Sequence, residues 1–163
     1  MNMHDDLNRR LASTSLPEGT ALDAKGFASA RCAGVAVFLR KLSEHGTLMI
    51  FAALGQASDL NEGQMLEACR ALLALNLPGG TEHPLRYSMD REGRIWLGLN
   101  IPQEDQEGAS LGRLVDSFLG ECPRAREAVG RIISAALSGQ PARSPGEGMM
   151  PPPSSISATP LWG

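Results

Sequence analysis

Residues 86–102 read RYSMDREGRIWLGLNIP; Leu85 just before them, Tyr87 and Met89 alternate ahead of Asp90-Arg91-Glu92-Gly93, and Ile95, Leu97, Leu99 and Ile101 alternate after it. Side chains along a strand point to opposite faces with a period of two, so each run predicts a half-buried strand and the pair predicts an antiparallel hairpin. The Asp-to-Gly connection suits a type I turn closed by a glycine at positive φ. The same period puts Arg94, Trp96, Gly98 and Asn100 on the face opposite the aliphatic residues. If helices cover only the aliphatic face, Trp96 is left on an open one, where large apolar patches commonly mark interfaces. The other reading packs Trp96 under a helix or a folded-back loop of its own chain.

Working outward, Ala21 to Leu54 carries three strand-like runs, ALDAKGFASARC, VAVFLRKL and TLMIFAALG, with Ser43-Glu44-His45-Gly46 as turn material. Between this meander and the hairpin, Met65, Leu66, Cys69, Leu72, Leu73 and Asn76 follow a helical stripe, with Asp59 and Glu62 as a capping box and Gly79-Gly80 as the stop. Upstream, Met3, Leu7 and Leu11 recur every fourth residue, with Asp5 and Asp6 ahead of Arg9 and Arg10 in the order a helix dipole favours, and Pro17 beyond the end. Downstream, Leu111, Leu114, Val115, Phe118 and Leu119, then Val129, Ile132, Ile133, Ala136 and Leu137, predict a last helix that is bent, or split in two, between Gly120 and Pro123. The order α-β-β-β-α-β-β-α segregates strands from helices. It predicts an α+β fold with a mainly antiparallel, twisted, five-stranded sheet and three helices.

The chain has 163 residues, 42% of them hydrophobic, which is enough for one domain to bury a core without a disulfide or a structural metal. That domain is expected over residues 1–138. Residues 139–163 hold six Pro, four Gly and four Ser but only two charges, Arg143 and Glu147, a composition that predicts a disordered or extended tail with polyproline character at Pro151 to Pro153. Its Leu161 and Trp162 are a candidate docking motif.

A formal charge of −3 argues against nucleic acid and anionic lipid as partners. No apolar run reaches the ~20 residues that span a bilayer, and the first residues lack a signal pattern, so no membrane insertion and a cytoplasmic location are expected. Cys32, Cys69 and Cys122 form no Cys-x-x-Cys pair and are expected to be reduced, buried thiols.

Catalytic patterns fail on inspection. Gly108-Ala109-Ser110-Leu111-Gly112 matches a nucleophile elbow, but a polar loop precedes it and no histidine follows it, so Ser110 is better read as a helix cap. His4, His45 and His83 are scattered, and Gly79-Gly80 and Gly93 lack a phosphate-loop context. Glu104, Asp105 and Glu107 read as a solvated loop before a helix N-terminus. No catalytic residue, metal site or cofactor is expected; the protein is not expected to be an enzyme.

The order of elements carries a family resemblance. Leu7 and Leu11 on a short helix are followed by Leu16-Pro17; Ala21-Leu22-Asp23 enters the meander; Leu48 to Gly55 leads to the second helix. Asp90 and Gly93 bracket the turn, and Ile95-Trp96-Leu97 precedes Asn100-Ile101-Pro102, an acidic loop, and a helix with Leu111, Leu114, Val115 and Phe118. Over Asp5 to Leu137 the sequence resembles the class I type III secretion chaperones, the Tir-chaperone or CesT-like family. Pro123 and the Pro-rich tail depart from the family pattern.

The resemblance implies a bacterial cytoplasmic homodimer that binds the amino-terminal segment of one or more secreted effectors and keeps it extended. It would then present the complex to the secretion apparatus, with the secretion ATPase as a further candidate partner and no cofactor. By position it puts effector binding on Leu7, Leu11, Val35, Val37, Phe38, Ile50 and Phe51, and the dimer surface on Met65, Leu66, Cys69, Leu72, Leu73 and Trp96. An adaptor of similar fold that binds folded cytoplasmic partners through its sheet or tail is the alternative.

Overall fold

The computed structural model describes residues 4–42, 46–76 and 85–139. Its elements are α1 (Asp5–Leu11), β1 (Phe27–Cys32), β2 (Val35–Lys41), β3 (Leu48–Gln56), α2 (Glu62–Leu75), β4 (Arg86–Met89), β5 (Arg94–Ile101), a 3-10 turn (Gln103–Gln106) and α3 (Gly108–Ser138). The five strands form one sheet in the order β1-β2-β3-β5-β4, antiparallel at every step. This is the α+β architecture expected from the sequence. Met3, His45, His83, Gly79-Gly80 and the tail beyond Gly139 lie outside the described residues.

The hairpin forms as read. Gly93 adopts φ +76°, its N–H donates to Asp90 O at 3.1 Å, and the Asp90 N–H donates to Arg94 O at 3.0 Å. Strand β1 starts later than the apolar run suggests. Asp23 turns the chain first: its O accepts from Gly26 N–H at 2.9 Å, and its Oδ1 accepts from the Lys25 and Phe27 N–H groups. A side-chain acceptor of this kind competes with the ladder and holds residues 23–26 out of the sheet.

Helix α2 also starts differently. Asn61, rather than Asp59, is the cap: its Oδ1 accepts from Gln64 N–H, and Gln64 Oε1 accepts from Asn61 N–H, both at 3.0 Å. Ser110 lies inside the first turn of α3, and the capping position is Glu107, which makes no side-chain cap bond.

Helix α3 runs unbroken through Pro123, so the two-helix alternative does not hold. Its buried residues, Leu111, Val115, Phe118, Cys122, Ala125, Val129, Ile132 and Ala136, alternate steps of four and three across the proline. An internal proline costs ~3 kcal/mol or more. Burying a side chain the size of Val or Ile contributes about 1.5–3 kcal/mol, and the seam continues on both sides of Pro123, so packing outweighs the lost hydrogen bond. The helix stops at Gly139, which is left-handed at φ +67°.

All the described helices stand on one side of the sheet. Helix α3 packs across β3 and β5 and against α1 and α2, and α2 covers β4. The core is therefore one layer, with Val37, Leu39, Leu48, Ile50, Ala52, Ile95, Leu97 and Ile101 from the sheet all at 0% exposure and Val115, Phe118 and Val129 above them. The opposite face of the sheet carries no described element.

Candidate interaction site

The uncovered face is aromatic. Register puts Phe38 on β2 opposite Phe51 on β3, and Ala53 beside Phe51's neighbour opposite Trp96 on β5. The Phe38 and Phe51 rings stack with centroids 5.5 Å apart, and both meet Trp96 edge-on, at 5.9 and 5.7 Å. Phe27 on β1 extends the cluster, 6.1 Å from Phe38 and 40% exposed. Three of the chain's four phenylalanines and one of its two tryptophans thus stand together on the side away from the helices, so the concentration is not a by-product of core packing.

Asp90 fixes the tryptophan end of this cluster. Its Oδ2 accepts from Trp96 Nε1 at 3.1 Å and from Arg94 Nε at 2.7 Å, while Oδ1 accepts from the Glu92 and Arg94 N–H groups. Burial pushes the Asp90 carboxyl up. The Arg94 side chain, the Arg94 N–H, the Trp96 indole and the Glu92 N–H outweigh that and hold it at about 2. The Arg94 guanidinium also sits 5.7 Å from the Trp96 ring centroid, a cation–π distance.

Six of the seven residues expected to bind an effector fall into two groups. Phe38 and Phe51 are on the open face. Leu11, Val35, Val37 and Ile50, at 1%, 2%, 0% and 0% exposure, are inside the core beneath the helices. An apolar run alone assigns no face, and strand alternation divides these residues: odd residues of β2 and even residues of β3 point inward. Phe27 and Met49 belong to the open face and were missed; pairing Phe27 with Arg40 and Arg40 with Met49 aligns them, a register that the sequence alone does not supply.

The expected dimer residues also divide. On α2, Leu72 is buried and Met65 packs against the core, Cys69 is half-buried, and Leu66 and Leu73 are 51% and 66% exposed. Leu137 of α3, 52% exposed, lies nearby, since Gln64 Nε2 donates to its carbonyl at 3.5 Å. This apolar stripe is on the helical side of the molecule. Trp96 is on the other side and joins Phe38 and Phe51, not Leu66 and Leu73.

Each sheet edge is capped at one residue; on β1, Asp23 N–H donates to Phe27 O at 2.8 Å and Asp23 Oδ1 accepts from Phe27 N–H at 3.0 Å. On β4, Asn76 mimics a neighbouring strand: its Oδ1 accepts from Tyr87 N–H at 2.7 Å and its Nδ2 donates to Tyr87 O at 2.8 Å. Strand β1 has no strand on its outer side among the described residues.

Leu7 is half-buried and lines a separate polar cleft of about 300 Å³ with His4, Asp6, Arg10, Lys41, Gln103, Gln106 and Glu107. The floor of this cleft is a polar hub. Lys41 Nζ donates to Gly46 O and Gln106 Oε1, Gln106 Nε2 donates to Gly46 O and Ile101 O, and Arg10 donates to Gln106 O. Burial lowers the Lys41 pKa. Among the described residues no cluster of three metal-ligating side chains occurs, and no helix is long and apolar enough to cross a membrane. Of the cysteines only Cys122 is buried, and burial with Cys32 and Glu121 nearby pushes its thiol up to about 11; Cys32 and Cys69 are half-buried.

The domain is thus a helix-backed antiparallel sheet with an open aromatic face and a separate apolar stripe on its helical side. The sequence pattern of the Tir chaperone protein (CesT) family matches residues 11–145, and the chain belongs to that family. No curated protein matches it. Solved structures share the fold. The chain is similar to a chain of the ExsC–ExsE complex, with 21% identity, TM-score 0.53, and coverage of 78% of this chain and 92% of the other. It is also similar to one of the HopA1–SchA chaperone–effector complex, with 21% identity, TM-score 0.51, and coverage of 76% and 89%. A third is the Yersinia pestis type III secretion chaperone SycH in complex with a stable fragment of YscM2, with 17% identity, TM-score 0.53, and coverage of 74% and 98%.

Proposed function

We propose that the protein is a type III secretion chaperone that binds the amino-terminal segment of one or more effectors on the open face around Phe27, Phe38, Phe51 and Trp96. Bound there, the segment stays extended and secretion-competent for delivery to the secretion apparatus. The observation that carries this reading is the aromatic cluster itself, left uncovered on a domain whose core is already complete on the other side. Apolar anchors of an extended chain gain most where rigid aromatics are already in position, because little side-chain entropy is lost on binding. Beyond Phe27, which Asp23 caps, the outer side of β1 has main-chain groups that an extended chain can pair with, while Asn76 caps β4 at Tyr87. Family membership and the chaperone–effector complexes among the fold neighbours support the partner class.

The protein acts without a catalytic step, in the bacterial cytoplasm, as a homodimer. Leu66, Cys69 and Leu73 form the self-association surface, backed by Met65 and Leu72; Trp96 belongs to the client face. The test is co-expression with amino-terminal fragments of secreted proteins from the source bacterium. A fragment that is soluble only with this chain, and co-purifies with it, supports the reading. Recovery of folded cytoplasmic proteins alone, with no secreted one, overturns it in favour of an adaptor.

A further inference from the structure

We propose that residues 151–162 of this chain are a built-in competitor that covers the aromatic face until a client displaces them. This rests on the reading of that face as the client site. Four observations lead to it.

First, the tail chemistry fits. PPPSSISATPLW carries no charge and offers three consecutive prolines, Ile156, Leu161 and Trp162. Proline-rich segments dock in aromatic-lined grooves because the ordering cost of their extended form is low.

Second, the chain leaves the domain on the helical side, at the end of the sheet that carries Trp96, one sheet thickness from the patch. The last turns of α3 stand over the end of β3, since a Cβ on Gly55 would meet Val129 and Ile133 at 3.3 and 3.6 Å. Gly55 pairs with Ile95, the residue before Trp96. The tail begins at the sheet end that carries Trp96.

Third, the length suffices. The 23 residues that follow Gly139, through Trp162, reach up to ~75 Å when extended, against ~20 Å for the width of five strands and ~10 Å for crossing a packed layer.

Fourth, the family match ends at residue 145, so residues 151–162 lie outside the shared domain.

Tethering makes weak docking sufficient. A short linker gives an effective concentration in the millimolar range, so an intrinsic Kd of roughly 0.1 mM keeps the face about nine-tenths covered. Client affinity is then reduced by roughly tenfold, because only the uncovered fraction is competent.

The experiment uses the full chain labelled with 5-fluorotryptophan, whose two signals report Trp96 and Trp162 separately. Expected are reciprocal shifts: Leu161→Asp moves the Trp96 signal, Phe51→Asp moves the Trp162 signal, and neither depends on protein concentration. A Trp162 signal unmoved by Phe51→Asp overturns the proposal, and shifts that grow with concentration overturn it in favour of docking on a second copy. The Kd for a client fragment is expected to fall about tenfold in Leu161→Asp relative to the unmodified chain. Equal affinities overturn the competition. Reciprocal shifts with no client bound by either chain leave tail docking standing and remove the client reading.

Discussion

The Trp96 indole N–H donates to the Asp90 carboxylate at 3.1 Å, across the hairpin that Asp90 itself closes. The residue that sets the turn therefore also sets the orientation of the largest ring on the open face. Asp90→Asn keeps the shape but lowers acceptor strength toward Arg94 and Trp96. Expected are a lower urea midpoint and a shifted Trp96 emission spectrum in a Trp162→Phe background; an unchanged spectrum would show that the bond does not position the ring.

The same carboxylate gives a pH signature. Its folded-state pKa of about 2 lies below the unfolded value of about 3.9, so folding favours the ionised form. The contribution is whole above pH ~4 and disappears as pH falls toward ~2, and Asp90→Asn should flatten that part of the stability profile. Urea titrations at pH 5 and pH 3 measure it, with the two proteins converging at the lower pH.

Core and open-face substitutions should separate cleanly. Leu97 is fully buried between the sheet and α3, so Leu97→Ala is expected to cost about 2–5 kcal/mol by transfer and cavity terms. Phe38→Ser, on the open face, should leave the fold in place and weaken client binding at least tenfold, as loss of a central aromatic anchor does. Thermal melts and titration with a client fragment decide; a Phe38→Ser protein that binds normally would remove Phe38 from the site.

Much of this was legible in the sequence. The hairpin and Trp96's face followed from strict alternation, and the order of elements followed from changes of period. What was not legible depends on pairing between distant segments. Val37 and Phe38 are neighbours in sequence and equally apolar, yet one is in the core and the other is in the aromatic cluster, and only the register of β2 against β3 separates them. Pro123 misled for a related reason. Local chemistry argues for a break, but the heptad-like seam that carries α3 across it is a tertiary property.

Gln106 was invisible as a structural residue. It is 4% exposed and links Lys41, Gly46 and Ile101. Gln106→Leu takes one acceptor from the Lys41 ammonium and the side-chain donor from Ile101 O, and leaves Gly46 O with Lys41 Nζ alone; each unsatisfied buried group costs about 1–3 kcal/mol. The melting temperature should fall well below that of Gln103→Ala, an exposed neighbour; equal melting temperatures would mean that water takes over the hub.

Self-association is assigned to the other side of the molecule. Leu66→Asp with Leu73→Asp replaces two exposed leucines that carry no core packing of their own. Light scattering at low micromolar concentration should show the mass falling from two chains to one with the circular dichroism unchanged. A dimer that survives both changes would remove α2 from the interface.

The central claim is that clients bind the aromatic face and not the helical side. Its most direct measurement is the affinity of one co-purifying amino-terminal client fragment for three full-length chains: unmodified, Phe51→Asp, and Leu66→Asp with Leu73→Asp. The account predicts at least a tenfold loss for Phe51→Asp and, per chain, little change for the α2 pair. Undiminished binding by Phe51→Asp, with loss in the α2 variant, would contradict it.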